Sequence, residues 1–165
     1  MKIAIDLNVL LDVAQNRPAF YQDSEEVLAR AREGEYEGVI AGHLVTTFYY
    51  LLAKFSGAAT ADTAVDGLLA HFAVAGAEKQ ILAKARRLLM KDFEDSVVAA
   101  TADSCGCDYI VTRNVPDFAG SPVPAVTPAD FLKLLPPRAS GQAPTGQLGR
   151  SMQHPDTLVR PRSSR

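Results

Sequence analysis

The sequence contains few residues that could build a disulfide framework or a zinc site. Its two cysteines, Cys105 and Cys107, lie together in the string CGC, and its three histidines stand singly. Neither pattern has the spacing that disulfide-rich or zinc-binding domains require. The sequence therefore argues against a small disulfide-stabilised scaffold and against zinc chemistry.

Long apolar runs are also absent. No stretch is long enough to cross a bilayer, and the N-terminal string MKIAIDLNVL reaches a charged residue before an apolar region of signal-peptide length has formed. Hydrophobic residues still make up 47% of the 165 residues, which is enough for the core of one globular domain. We expect a cytoplasmic protein without a membrane segment.

Charge divides the chain into two unequal parts. Residues 1–135 carry 12 Lys and Arg against 18 Asp and Glu, whereas residues 136–165 carry 5 against 1 and hold five of the ten prolines. The second part has no apolar periodicity, so it cannot bury enough surface to offset the entropy lost on ordering. We therefore expect a domain at 1–135 followed by a disordered Pro/Arg-rich tail at 136–165. Its composition favours a solvated tail over one that contacts RNA or an acidic partner.

Short strand-like runs alternate with longer helical runs along residues 1–135. The strand candidates are KIAID, YEGVIA, FAVAG, DYIVT and the start of VPAVTPADFLKLL. Helical periodicity fills the segments between them, and in SEEVLARAREGE the residue Ser24 is a plausible N-cap. Helices of about 10 to 15 residues between strands imply crossover connections. The pattern predicts an α/β fold with a parallel sheet covered by helices on both faces.

This fold class predicts where a functional site would lie. In an open parallel sheet, ligands bind outside the carboxyl ends of the strands, where helix N-termini also point. Asp6 ends the first strand, Thr112, Asn114 and Asp117 follow DYIV, and Asp95 lies at the start of a helix in KDFEDSVVAA. Three segments thus bring a carboxylate to one edge, where their repulsion would be severe without a divalent metal ion.

Helix capping is the alternative role for these acids. Asp92 can cap the helix of KDFEDSVVAA, and acids in the first turn complement the helix dipole, which accounts for Asp92 and Glu94. For Asp95 and Asp6, capping and catalysis are equally open on the sequence alone. Three other acids have no spacing that brings them to the same edge, and we expect them outside the site: Asp12, Asp103 and Asp108.

Three motifs occur in a specific order: IDLNVLLD, then DFEDSVVAATA, then DYIVTRNVPDF followed by VPAVTPADFL. With them the chain resembles the PIN-domain nucleases, particularly the VapC-like toxin ribonucleases of bacterial toxin-antitoxin pairs, over roughly residues 1–135. One motif alone would be weak, because an Asp after a strand opens many α/β enzymes. The resemblance implies a PIN-like three-layer α/β/α sandwich with a central parallel sheet of about four to five strands.

The resemblance also implies roles for individual residues. It implies that Asp6, Asp95 and Asp117 are catalytic and bind Mg²⁺ or Mn²⁺, with Asn114 as a further metal ligand. Other residues are implied to support the site: Asn8, Thr46, Thr47, Glu94, Thr112 and Arg113.

The chain departs from the PIN pattern at two positions. PIN nucleases commonly have a Glu near the start of the helix after the second strand, but AGHLVTTFYYLLAK contains no acid, and Thr46 or Thr47 takes that place. Asn114 stands where many relatives have another acid. The metal site would then rest on three carboxylates and neutral oxygens, with Glu94 as a possible substitute.

The implied activity is metal-assisted hydrolysis of RNA phosphodiester bonds by a bound water, without a protein nucleophile. The implied partners are the RNA substrate, a small antitoxin protein and a second copy of the chain, since such toxins usually form dimers. The missing Glu keeps an alternative open, in which a catalytically degenerate PIN domain acts as a binding or interaction module.

Overall fold

The computed structural model describes residues 1–137, and these residues form a five-stranded sheet. The strands are β1 (Lys2–Ile5), β2 (Glu37–Ala41), β3 (Ala73–Ala75), β4 (Tyr109–Val111) and β5 (Ala125–Val126). Neighbouring strands are all parallel, in the order β3-β2-β1-β4-β5. Strand β1 is therefore central, and the carboxyl ends of β1, β2 and β4 meet at one edge.

Helices cover both faces of this sheet. Those in residues 1–137 are α1 (Leu7–Ala14), α2 (Tyr21–Arg32), α3 (Gly42–Ser56), α4 (Ala58–His71), α5 (Lys79–Leu88), α6 (Phe93–Ser104), a 3₁₀ helix (Val115–Phe118) and α7 (Pro128–Lys133). Helix α6 packs against β1, β2 and β4, and α5 packs against α6. Helix α1 contacts α2 and α3, α3 contacts α4, and α2 contacts α7. This arrangement confirms the predicted three-layer α/β/α sandwich.

The central strands are apolar because both of their faces are covered. Ile3, Ile5, Ile40 and Ile110 have no exposed surface and belong to one continuous core. Each buried side chain of this size stabilises the fold by about 1.5 to 3 kcal/mol relative to an exposed one. A rigid core under β1 and β4 fixes the positions of the polar residues that follow these two strands.

The start of α2 differs from the sequence prediction. Ser24 does not cap this helix, which begins at Tyr21, and the Ser24 side chain is fully buried within it. The carbonyl of Arg17 accepts the N–H groups of Phe20 and Tyr21, so a preceding turn starts the helix earlier. The Ser24 hydroxyl instead donates a hydrogen bond to Asp12.

The predicted tail at 136–165 lies outside the described residues, apart from Pro136 and Pro137. The division into a domain and a disordered tail therefore stays a prediction. Among the helices of residues 1–137, none has both the length and the apolar character needed to cross a membrane.

Candidate active site

A pocket of about 220 Å³ opens between the end of β1, the residues after β4 and the start of α6. Its lining combines carboxylates and arginines with apolar side chains: Asp6, Leu7, Asn8, Leu11, Arg17, Leu44, Glu94, Asp95, Val98, Arg113 and Asn114. The pocket therefore lies at the carboxyl edge of the sheet, where parallel α/β folds bind their ligands.

One side of the pocket, here called the β1–β4 wall, consists of Asp6, Asn8, Arg113 and, behind them, Thr112. The Asp6 carboxylate accepts hydrogen bonds from the N–H of Leu7 (2.7 Å), Nδ2 of Asn8 (2.6 Å) and Oγ1 of Thr112 (2.7 Å). Nδ2 of Asn8 also donates to Oγ1 of Thr112 at 3.0 Å, and the N–H of Arg113 donates to Oδ1 of Asn8 at 3.1 Å. This network joins the start of α1 to the end of β4.

Asp6 is 7% exposed, and burial raises the pKa of its carboxyl group. The hydrogen bonds from Thr112 and Leu7 lower this pKa, the charge of Glu94 raises it, and the charge of Arg113 lowers it. Within residues 1–137 the Asp6 carboxylate has hydrogen-bond donors but no salt-bridge partner. A cation in the pocket would therefore stabilise its charged form.

The acids of α6 that line the pocket, Glu94 and Asp95, are here called the α6 wall. The Asp92 carboxylate caps α6, since it accepts the N–H groups of Glu94 at 2.7 Å and Asp95 at 3.3 Å. Burial raises the pKa of Asp95 to about 6, and the charges of Asp6, Asp92, Asp117 and Glu94 raise it as well. Because Asp92 supplies the cap, the carboxylate of Asp95 is available to the pocket.

Most of the residues singled out in the sequence lie together. Six of them line the pocket: Asp6, Asn8, Glu94, Asp95, Arg113 and Asn114. Thr112 lies behind Asp6 and accepts the N–H of Asn114 at 3.0 Å. Asp117, in the 3₁₀ helix, does not line the pocket, but its charge contributes to the raised pKa of Asp95. Asp103 and Asp108 lie elsewhere, where they pair with Lys84 and with the N–H of Lys2.

Thr46 and Thr47 do not belong to the pocket lining formed by residues 1–137. Their hydroxyls donate to the carbonyl of His43 at 2.8 and 3.3 Å, within the first turns of α3. Helix α3 contributes Leu44 to the pocket, so its side of the lining is apolar. The acids of the pocket come from the end of β1 and the start of α6.

A sequence model of the PIN domain matches residues 2–116, a stretch that includes every residue of the pocket lining. This chain belongs to the PIN-domain family. The predicted resemblance is confirmed at this level. A comparison with curated proteins gave no match.

Several solved structures of toxin-antitoxin proteins are similar to this PIN domain. VapBC2 from Rickettsia felis is 16% identical, with a TM-score of 0.60, covering 77% of this chain and 98% of that one. VapC20 from Mycobacterium tuberculosis is 15% identical, with a TM-score of 0.56 and coverages of 66% and 86%. A toxin-antitoxin complex from Klebsiella pneumoniae is 21% identical, with a TM-score of 0.60 and coverages of 76% and 97%. At these identities the similarity establishes the fold alone.

The donor groups of this PIN-domain pocket suit a divalent cation. No three His, Cys, Asp or Glu side chains in residues 1–137 form a ready coordination group. However, the carboxylates of Asp6, Glu94 and Asp95 share one pocket with the amide of Asn114, and Mg²⁺ and Mn²⁺ prefer such oxygen ligands. The pKa values of Asp6 and Asp95 are raised by burial and by neighbouring acids, and a cation would offset both effects.

One residue of the pocket lining, Arg17, and the contacts that Asp12 makes behind the lining were missed by sequence reasoning. Arg17 lines the pocket, and Asp12, which was expected outside it, is buried behind the lining in contact with Arg17 and Arg113. The string LLDVAQNR carries a weak signal for them, because an acid inside an otherwise apolar helix requires a buried partner. The second partner of Asp12, Arg113, is distant in sequence and could not be assigned before the fold was known.

Proposed function

We propose that this PIN domain is a metal-dependent endoribonuclease that hydrolyses RNA phosphodiester bonds, and that it acts as the toxin of a type II toxin-antitoxin pair. The composition of the pocket supports this proposal most directly. Asp6 and Asp95 arrive from β1 and α6 and face one cavity at the carboxyl edge of a PIN-type sheet. Burial raises the pKa of Asp95 to about 6, and the charges of four other acids raise it as well.

In this proposal Asp6 and Asp95 hold the cation together with Asn114, and Glu94 supplies an acid that α3 lacks. Asp117, predicted as a third ligand, lies outside the pocket lining and contributes negative charge near Asp95. A bound Mg²⁺ or Mn²⁺ would lower the pKa of a water molecule and neutralise charge on the scissile phosphate. Asn8 and Thr112 hold the Asp6 carboxylate in a fixed orientation, so this ligand needs little rearrangement. Asp95 must be deprotonated to act as a ligand, which couples cation binding to proton release.

The proposed partners follow from the family and from similar structures. Structures with this fold include VapBC complexes bound to DNA and a Sarcin-Ricin loop cleaving toxin. These descriptions support an antitoxin partner and an RNA substrate for this chain, and we propose that it acts in the cytoplasm. Large side chains on α3 and its neighbour α4 are exposed, including Tyr50 (64%), Phe55 (64%) and Leu69 (55%), which supports a homodimer.

RNA cleavage by the purified full chain tests the activity. We expect cleavage of single-stranded RNA in Mn²⁺ or Mg²⁺ and none in chelator. Asp95→Asn should reduce cleavage by at least about a hundredfold, because it removes a charged metal ligand while an amide of the same shape remains. Calorimetric titration should show weaker Mn²⁺ binding by the same variant.

Asp92→Asn is the matched control. It removes the carboxylate three residues before Asp95, at the N-cap of the same helix, but Asn can still cap α6, so cleavage should stay within about threefold of the parent. A parent protein that binds Mn²⁺ but cleaves no RNA would contradict the nuclease proposal and indicate a binding module. An Asp95→Asn protein as active as the parent would remove Asp95 from the site.

A further inference from the structure

Asp12 is a carboxylate with no exposed surface, and the proposed reaction does not use it. Its Oδ1 lies 3.5 Å from Nη1 of Arg17, and its Oδ2 lies 3.1 Å from Nε of Arg113. The hydroxyl of Ser24 donates to Oδ2 at 3.1 Å. A lone carboxylate in this position would be costly to bury, and the two arginines offset that cost.

Two guanidinium groups around one carboxylate leave a surplus positive charge. A purely structural ion pair between α1 and the residues after β4 needs only Arg113. Arg17 adds a second cation, and both arginines line the pocket, with side chains 35% and 23% exposed. The same pocket contains Asp6, Glu94 and Asp95. Positive charge is therefore held directly beside a cluster of acids.

Further contacts fix the orientation of each arginine. Nε and Nη2 of Arg17 donate to Oε1 of Gln15 at 3.0 and 2.6 Å. The guanidinium of Arg113 lies over the ring of Phe20, 4.3 Å from its centroid. Within residues 1–137 the Nη groups of Arg113 make no hydrogen bond, so their donors are available to a ligand in the pocket.

We propose that Arg17 and Arg113 form a clamp for a backbone phosphate of the nucleic acid, and that Asp12 is the residue that positions both. A guanidinium presents parallel N–H donors that match the oxygens of a phosphate. An acidic pocket repels a polyanion, so a fixed pair of cations beside the acids would lower the barrier to entry. This inference rests on the proposed function, because it takes RNA as the ligand.

The salt dependence of RNA binding tests the clamp. All variants are made in the Asp95→Asn full chain and measured in chelator with a fluorescent single-stranded RNA, so that the RNA stays intact. Each lost phosphate contact should reduce the slope of log K against log salt by about 0.7 and weaken binding about fivefold at about 0.1 M salt. We expect this result for Arg17→Gln and for Arg113→Gln.

Lys2→Gln is the matched control for these charges. Lys2 is also a cation paired with a carboxylate, Glu37 at 3.3 Å, but it begins β1 and lies at the opposite edge of the sheet. Its loss removes the same formal charge and should change neither slope nor affinity by a comparable amount. Any contribution from residues 138–165 is common to all variants and cancels.

Asp12→Asn separates positioning from simple charge. This variant makes the chain more positive, so long-range electrostatics alone would tighten RNA binding, whereas loss of the anchor should weaken binding and lower the slope. Circular dichroism checks that the Asp12→Asn variant folds.

If Asp12→Asn does not fold, Phe20→Ala removes the exposed ring beside Arg113 without changing the charge of the chain, and it should also lower the slope. A lost base-stacking contact would weaken binding without changing the slope.

The outcomes separate the clamp from the proposed function. If the metal-loaded parent cleaves RNA but Arg17→Gln and Arg113→Gln bind like Lys2→Gln, the clamp is wrong and the nuclease stands. If Asp12→Asn folds and binds RNA more tightly, Asp12 is not a positioning residue. If the parent neither binds nor cleaves RNA, both proposals fail.

Discussion

Asp6 and Asp95 line the same pocket, but the chain holds them in different ways. Asp6, in the β1–β4 wall, is almost fully buried and accepts hydrogen bonds from Leu7, Asn8 and Thr112. Asp95, in the α6 wall, is partly exposed and surrounded by other acids, which together with burial raise its pKa to about 6. One carboxylate is fixed by donors, whereas the other is destabilised by its neighbours.

This difference suggests a division of labour between the walls. A network of short hydrogen bonds fixes the geometry of Asp6 before any ligand arrives. The acids of the α6 wall repel one another. A bound cation would reduce this repulsion, so it would stabilise the charged forms of these residues most. Substitutions in the β1–β4 wall should therefore damage folding and function together, whereas those in the α6 wall should damage function alone.

The largest expected effect comes from exchanging one acid in each wall. Asp6→Asn and Asp95→Asn should each reduce metal-dependent RNA cleavage by at least about a hundredfold. Their free energies of unfolding in chelator should diverge. Asp6→Asn should lose about 1 to 3 kcal/mol, because an amide nitrogen would face the donors of Asn8 and Thr112, while Asp95→Asn should lose nothing or gain stability. Urea titrations measure this, and equal losses would remove the distinction between the walls.

Addition of metal should stabilise the parent more than Asp95→Asn. At an Mn²⁺ concentration of about 100 times its dissociation constant, the parent should gain about 2.7 kcal/mol of stability. Asp95→Asn should gain much less at the same concentration. Thermal unfolding with and without Mn²⁺ measures the difference, and Asp103→Asn, a change in α6 away from the pocket, is the control. An equal gain in all three proteins would mean that the ion binds elsewhere.

A smaller effect is expected from the residue behind Asp6. Thr112 is fully buried, donates to Asp6 and accepts the N–H of Asn114, so Thr112→Val removes both hydrogen bonds. We expect a loss of about 1 to 2 kcal/mol in unfolding free energy and about tenfold slower cleavage. Thr112→Ser keeps the hydroxyl and should restore most of the activity. If Val and Ser behave alike, the hydroxyl does not orient the site.

The same contrast explains which parts of the molecule the sequence could predict. Strand ends are local features, so Asp6 and Asn114 could be assigned to one edge as soon as the parallel sheet was recognised. Capping and pocket roles were equally open for Asp95 because both use the first turn of a helix. The hydrogen bonds from Glu94 and Asp95 to Asp92 decide the cap.

Tertiary contacts account for what the sequence did not predict. The Asp12–Arg113 ion pair joins residues on separate elements, and no local pattern specifies which arginine meets a buried acid. Ser24 was wrongly assigned as an N-cap because its hydroxyl has a partner, Asp12, that lies outside its own helix. Caps and strand ends follow from neighbouring residues, whereas buried polar pairs depend on how the layers come together.

The smallest expected effect is a pH dependence of stability to which Asp95 contributes. The pKa of Asp95 is about 6 in the folded protein, against an ordinary value of 3.8. Between these values the folded state binds more protons than the unfolded state, so stability in chelator falls as pH rises from about 4 to about 6 and is level above. Partial exposure reduces the effect to about 1 kcal/mol.

Asp95→Asn should flatten this fall, although Asp6, whose pKa is also raised, will retain part of it. Asp130→Asn is the matched control, because hydrogen bonds from Lys133 and Thr127 lower the pKa of Asp130. Its charged form is therefore favoured in the folded state, and its contribution to stability is lost as pH falls. Unfolding free energies measured in urea at several pH values from 4 to 7 test both signs. If the stability of the parent rises steadily over this range, and Asp95→Asn shows the same pH dependence, repulsion among the acids of the α6 wall does not destabilise the folded protein.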